Sequence, residues 1–162
     1  MKTKFNFESQ ICTTREQSER LLALGLKKET SDCYYWQETE PMYGEAVGIW
    51  HLETLDSKDN QEHFEYLDKN FGVCLADDEE HYFIPAWSLG RLIEMMPLDV
   101  FDNCFTLMKN YPNGYSVEYD DPSYYHKENI YDTIIEGIEH LIKKGHFNKE
   151  YLVWKRKAKF RK

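Results

Sequence analysis

Apolar side chains recur every three or four positions in three stretches of the chain, which is the spacing of one face of an α-helix. This pattern predicts helices over residues 14–24, 88–96 and 129–144. The last stretch has the most regular apolar face, made of Ile130, Ile134, Ile138, Leu141 and Ile142. Residues 56–70 contain fewer apolar positions at this spacing, and we predict only a short fourth helix there.

Residues that favour helix ends stand at the borders of the three longer predicted helices. Thr13 and Glu16 have the spacing of a capping box, in which a hydroxyl and a carboxylate accept hydrogen bonds from free backbone amides. Gly25 and Gly145 follow the first and last helices, where glycine readily takes the left-handed conformation that ends a helix. Pro97 stops the middle helix because proline cannot continue the backbone hydrogen bonding.

Short aromatic-rich or alternating segments between these helices predict β-strands. Residues 32–55 contain two such segments, and we predict hairpins that join 73–76 to 81–84 and 104–109 to 115–119. A Pro-Asn-Gly sequence forms the turn of the last hairpin. Because hairpins and helices are interleaved without a regular strand–helix–strand repeat, the sequence predicts an α+β fold, in which about three main helices pack on one face of an antiparallel sheet.

The length of 162 residues suits a single domain, which we predict over 1–154, followed by a basic tail over 155–162. The tail contains six of the 20 Lys and Arg residues and no acidic residue. The net charge of the chain is −9, and without the tail's six positive charges it is −15. A body with this charge repels phosphate backbones, so nucleic acid is expected to bind only locally, if at all. We interpret the acidic stretch 53–80 as solvated surface.

Two pairs of histidine and carboxylate residues have a spacing that could place them on one face of a strand. They are His51 with Glu53 and His63 with Glu65, and each pair could ligate a metal or act as an acid–base pair. We favour histidines at the surface, and we predict no metal site and no cofactor. A pocket that brought together two of His51, His63 and His81 beside a carboxylate would favour an enzyme.

The sequence lacks the common motifs of catalytic sites. It has no glycine-rich phosphate loop, no Gly-x-Ser-x-Gly and no His-Glu-x-x-His. Cys12, Cys33, Cys74 and Cys104 never occur with Cys-x-x-Cys spacing, so neither a zinc knuckle nor a redox pair is predicted. We expect all four to be reduced, as small core residues.

No segment of the sequence resembles a targeting signal or a membrane span. The first residues contain no apolar run of signal-peptide length. No stretch approaches the 18 or so apolar residues that a membrane helix needs. These features predict a cytoplasmic protein that has no membrane partner.

Tyrosine is concentrated around the predicted second hairpin. The residues that we propose as a partner-binding surface are Tyr111, Tyr115, Tyr119, Tyr124 and Tyr125. If their side chains are exposed together, they form an aromatic contact surface of the kind enriched in protein interfaces. The alternative, which we favour, is that they line the sheet and its covering helix.

Residues 11–26 and 84–97 resemble segments of uncharacterised proteins encoded by Bacteroidales genomes and by their phages or mobile elements. The stretch from Asn129 to Leu152 looks similar as well, in the same order along the chain. The resemblance covers about a third of the chain in helix-capping and core residues. It implies an accessory protein of a mobile element in a bacterial cytoplasm, without an assigned activity or functional residues.

Three functional interpretations follow from these observations. The first is a non-enzymatic binding or accessory protein that acts through contacts with another protein. The second is a nucleic-acid-associated protein that uses the tail residues Lys155, Arg156, Lys157, Lys159, Arg161 and Lys162. The third is an enzyme whose histidines and carboxylates converge only in the fold. The partner or substrate and the oligomeric state do not follow from the sequence.

Overall fold

The computed structural model describes residues 9–39, 46–71, 83–100, 103–109, 114–119 and 125–153. Its α-helices are α1 (Arg15–Leu24), α2 (Lys58–Asn70), α3 (Leu89–Met95) and α4 (Ile130–Lys144). Its strands are β1 (Cys33–Thr39), β2 (Ala46–Thr54), β3 (Phe83–Ala86), β4 (Asp99–Val100), β5 (Asn103–Cys104), β6 (Thr106–Lys109), β7 (Tyr115–Glu118) and β8 (Tyr125–Lys127). Every strand pair is antiparallel, and the predicted α+β fold is confirmed.

The strands form two three-stranded sheets and a two-stranded ladder. The first sheet has the order β2–β1–β3, the second has the order β6–β7–β8, and β4 pairs with β5. The β6–β7 pair is the predicted hairpin of 104–109 with 115–119. The strand β3 pairs with β1, and the predicted partner strand at 73–76 lies outside the described residues.

The helices α1, α3 and α4 share one hydrophobic core, as the apolar patterns indicate. Leu21 from α1, Leu92 from α3 and Ile138 from α4 are each fully buried. The core also contains Val117 of β7, because α4 packs on the second sheet. The predicted face of α4 is therefore confirmed.

The helix α2 packs on the first sheet from the side opposite to α1. Alternate side chains of β1 point to opposite faces of the sheet. Tyr34 packs against Leu67 of α2 and Phe83, while its neighbour Cys33 packs against Cys12 at the start of α1. The short fourth helix predicted within 56–70 is thus present, and it covers a separate aromatic cluster.

The capping box of α1 lies one residue later than predicted. Thr14, not Thr13, is the N-cap: its hydroxyl accepts the Gln17 amide at 3.2 Å, and the Gln17 side chain accepts the Thr14 amide at 3.0 Å. The Thr13 hydroxyl is buried, accepts the Trp87 amide at 3.0 Å and is hydrogen-bonded to Ser18. Since this tertiary contact occupies Thr13, the next threonine caps the helix.

The structure joins Cys12 and Cys33 in a disulfide, with their Cα atoms 6.8 Å apart. This corrects the expectation of four reduced thiols. Both residues are buried, as predicted for core positions, but Cys104 is exposed and Cys74 lies outside the described residues. A separation of 21 residues gives no sign of this pairing, because only the fold brings the segment before α1 onto β1.

Candidate functional site

A cleft of about 410 Å³ opens where the β1–β2 ladder ends beside the start of α3. The residues around it are Ile11, Ser31, Asp32, Cys33, Thr54, Leu55, Asp56, Ser88 and Arg91. The Leu55 amide donates to the Asp32 carbonyl oxygen at 2.9 Å, so Asp32 and Asp56 lie at the same end of two neighbouring strands. Two carboxylates and one guanidinium therefore share the walls of this cleft.

Asp32 is held in place by the residue that caps α3. The Ser88 amide donates to Asp32 Oδ1 at 2.8 Å, and the Ser88 hydroxyl donates to Oδ2 at 2.5 Å. The same hydroxyl accepts the Arg91 amide at 3.1 Å as the N-cap of α3. A carboxylate offers about four lone-pair positions, so Asp32 can accept further hydrogen bonds from a ligand.

Asp56 is exposed at the rim of the cleft. The Thr54 hydroxyl donates to Asp56 Oδ1 at 2.8 Å, which fixes the orientation of the carboxylate. Hydroxyl donors thus orient both Asp32 and Asp56 before any ligand is bound. Such pre-orientation lowers the conformational cost of binding a cation.

Arg91 contributes hydrogen-bond donors to the other wall of the cleft. Its Nε is buried and has no hydrogen-bond partner in the part of the chain that the structure describes. Its Nη1 lies 3.5 Å from the Glu94 carboxylate, a contact between two side chains that are both well exposed. The Arg91 side chain as a whole is 42% exposed and lines the cleft, so its guanidinium offers N–H donors to an acceptor from a ligand.

A second polar cluster lies under α2, on the aromatic face of the first sheet. The Tyr34 hydroxyl lies 3.0 Å from His63 Nδ1. Burial, with a smaller contribution from the Glu53 charge, raises the pKa of Tyr34 to about 12. Burial lowers the pKa of His63, and Glu53 partly offsets this effect. Both groups are neutral near pH 7, and the imidazole tautomer decides which of the two atoms donates this hydrogen bond.

Trp36 packs between the two histidines of this cluster. Its ring stacks on His51 with the centroids 4.5 Å apart and meets His63 edge-on at 4.9 Å. Within the described ranges, no group of three His, Cys, Asp or Glu side chains is placed to hold a metal ion. The fold does bring His51, Glu53 and His63 together, but around an aromatic core rather than in the cleft.

Most of the residues singled out from the sequence lie elsewhere or outside the described residues. Tyr115 is half-buried, and Tyr119 is buried, with its hydroxyl donating to the Pro97 carbonyl oxygen at 2.8 Å. Tyr119 is therefore a core residue and does not belong to an exposed contact surface. The backbone of Tyr125 forms part of β8, while Tyr111, Tyr124, His81 and the tail 155–162 lie outside the described residues.

No motif in the sequence indicates the polar residues of the cleft. Asp32, Asp56, Ser88 and Arg91 are separated by up to 59 positions, and no motif spacing connects them. The pairing of β1 with β2 and with β3 brings them together. The apolar pattern that predicts a helix over 88–96 is the one feature of the local sequence that bears on these four residues.

Comparisons with known proteins add no further guide to function. No protein-family model matches the chain, and no curated protein or solved structure has significant similarity to it. Among the described helices, none has both the length and the apolar character needed to cross a membrane.

Proposed function

We propose that the chain is a binding protein that acts through contacts with another protein, and that the cleft receives a basic segment of that partner. The observation that carries this proposal is the pair of oriented carboxylates, Asp32 and Asp56, opposite Arg91 in one cleft of about 410 Å³. Hydrogen bonds from lysine or arginine to such carboxylates are charge-assisted and stronger than neutral ones.

The charge of the whole molecule supports a basic partner. The residues before the tail carry a net charge of −15, which attracts cationic segments and speeds their encounter. The same charge disfavours phosphate groups in the cleft, which makes the nucleic-acid alternative weaker for this site.

Arg91 and Ile11 favour a peptide over a simple cation. The guanidinium of Arg91 can donate to a backbone carbonyl oxygen, which a peptide has and a polyamine lacks. Ile11 is 67% exposed at the rim and offers apolar surface to the aliphatic part of a lysine or arginine side chain. The ligand class is therefore a polypeptide segment with closely spaced basic residues.

The resemblance to proteins of Bacteroidales and their mobile elements supports an accessory role for this binding. The two resembling stretches, 11–26 and 84–97, both contribute to the cleft. Ile11 comes from the first stretch, and Ser88 and Arg91 come from the second. We therefore propose that the binding serves an accessory role in a mobile element.

Fluorescence anisotropy with a labelled, end-capped peptide of alternating lysine and alanine tests the proposal. At about 150 mM salt, Asp56→Asn is expected to weaken binding roughly tenfold, because one charge-assisted hydrogen bond is lost. Asp59→Asn removes the same charge from an exposed position of α2 and is the matched control, with an expected change below twofold. Equal weakening by both variants, or no binding to the unmodified chain, contradicts the proposal.

A second titration separates a peptide site from a simple cation site. Arg91→Ala is expected to weaken binding of the peptide several-fold and to leave or improve binding of spermine, because spermine has no carbonyl oxygen for the guanidinium. If both ligands respond in the same way, Arg91 does not select for a peptide.

A further inference from the structure

The structure fixes the point from which the basic tail leaves the domain. The Lys27 amide donates to the Tyr151 carbonyl oxygen at 2.9 Å, and the Val153 amide donates to the Gly25 carbonyl oxygen at 2.7 Å. Leu152 forms a β-bridge with Leu26 between these two hydrogen bonds. Val153, the last residue that the structure describes, therefore lies beside the end of α1.

The cleft lies within reach of the tail from this point. Ser31 in the cleft wall follows Gly25 by six positions, and three of the five residues between them form the 3₁₀ turn Lys28–Thr30. The path between these two residues is therefore at most roughly 20 Å. Residues 154–162 span up to roughly 30 Å when extended. The second half of the tail, from Lys159 onwards, can reach Asp32 and Asp56.

The tail also has the chemistry that the cleft requires. It contains six basic residues without an acid, and the single aromatic residue Phe160 stands between Lys159 and Arg161. The cleft has two oriented carboxylates, the Arg91 guanidinium as a donor to a carbonyl oxygen, and the exposed Ile11 at its rim. By contrast, Asp68 on the nearby acidic helix α2 is already paired with Lys28.

We infer that residues 155–162 are an intramolecular ligand of the cleft and compete there with the basic segment of the partner. This inference rests on the proposed function, since it assigns an occupant to the same cleft. A tethered segment has an effective concentration of about 10⁻³ M. If the free tail peptide binds with a dissociation constant of about 10⁻⁴ M, the tether weakens partner binding roughly tenfold.

The test compares three full-length proteins. One is unmodified, and the second carries glutamine in place of all six basic tail residues, Lys155, Arg156, Lys157, Lys159, Arg161 and Lys162. The third is a charge-matched control with glutamine in place of six exposed lysines of the body, Lys58, Lys69, Lys109, Lys127, Lys144 and Lys149. Both variants have a net charge of −15, so long-range attraction is the same in each.

The tail variant is expected to bind the lysine–alanine peptide about tenfold more tightly than the unmodified chain at about 150 mM salt, and the control less than twofold more tightly. Without peptide, the amide NMR signals of residues 31–33, 54–56 and 88–91 are expected to differ between the tail variant and the unmodified chain. Equal peptide affinity in the two variants overturns the inference but leaves the proposed function intact, provided that Asp56→Asn still weakens binding. If no protein binds the peptide, the proposed function fails, and unchanged amide signals overturn the inference as well.

Discussion

His63 lies half-buried on the face of α2 that packs on the first sheet, in a neutral form, and this makes part of the folding free energy depend on pH. Its pKa is lowered by burial below the usual value of 6.5, while Glu53 opposes the shift. The groups that contact it or act on its charge are Tyr34 and Trp36 from β1 and Glu53 from β2. In the unfolded chain the same imidazole is free to take up a proton at its ordinary pKa.

This arrangement predicts that His63 makes folding less favourable as the pH falls below about 6.5. The folded pKa is the lower one, so the unfolded state binds the proton first and stability is lost towards acid pH. Above that pH the contribution is fully present. Urea unfolding at pH 7.5 and pH 5.5 should show a smaller loss in His63→Gln, which cannot titrate, than in the unmodified chain. If the unmodified chain and His63→Gln lose the same free energy of unfolding between these two pH values, another group causes the pH dependence.

Glu139 also loses its contribution to stability towards acid pH, but in a lower pH range, because it is an acid that two cations stabilise. Hydrogen bonds from Lys143 and then from Arg20 hold its pKa at about 2, below the usual 4.5. The contribution is present above about pH 4.5 and is lost as the pH falls through 2. At pH 7, Glu139→Gln should lower the free energy of unfolding by about 0.5–1 kcal/mol, since the site is partly exposed.

Thermal or urea unfolding measures this effect, and Glu62→Gln serves as its control. Among the described residues Glu62 pairs with the exposed Lys58 at 3.2 Å, so its replacement should change stability little. The Glu139→Gln effect should also shrink in 1 M salt, where charges are screened within about 3 Å. If Glu139→Gln lowers the free energy of unfolding by as much at pH 2 or in 1 M salt as it does at pH 7 in low salt, the effect is not electrostatic.

At the scale of elements, α4 was the easiest part of the chain to predict. Its apolar face, the N-cap Asn129 and the C-cap Gly145 all lie within 17 residues, so local sequence determines them. The capping box of α1 was misplaced because a long-range contact between Thr13 and Trp87 decides between two threonines. The disulfide and the position of α2 likewise depend on contacts distant in sequence.

A glycine in the middle of α4 gives a direct test of its packing. A Cβ atom at Gly137 would lie 3.5 Å from Met96 Cε and Val117 Cγ1, which is ordinary van der Waals contact. Gly137→Ala is therefore expected to stabilise the protein by about 0.5–1 kcal/mol, as alanine favours a helix over glycine. Gly145→Ala should instead destabilise it, because Gly145 has a φ of 79°. Melting curves of both variants show whether each substitution raises or lowers the melting temperature.

The Cys12–Cys33 disulfide adds to the stability of a segment that hydrogen bonds also hold. The Tyr131 hydroxyl donates to the Ile11 carbonyl oxygen at 2.6 Å, so the segment before α1 stays attached without the disulfide. Closing a loop of 21 residues contributes about 3 kcal/mol. A double Cys12→Ser, Cys33→Ser variant should stay folded with a lower melting temperature, and a reducing agent should have the same effect on the unmodified chain. Cys104→Ser, at an exposed thiol, should change nothing.

At the scale of the whole molecule, sequence patterns identified the fold class but not the cleft. Charge and periodicity are local properties, whereas the cleft combines Ile11, Asp32, Asp56 and Arg91 from four separate segments. The basic tail and the acidic body were evident from the sequence. The fold adds the position of Val153, whose amide donates to the Gly25 carbonyl oxygen. This position makes binding of the basic tail in the cleft a specific hypothesis.

The most direct test of the central claim is to map where a basic peptide contacts the protein. Amide NMR spectra of the isotope-labelled full chain are recorded while the unlabelled lysine–alanine peptide is added to saturation. Binding in the cleft predicts that the largest shift changes fall on residues 31–33, 54–56 and 88–91. Binding of the peptide in the cleft is contradicted if these signals stay unchanged while the largest changes fall on the acidic face of α2 or around Tyr115.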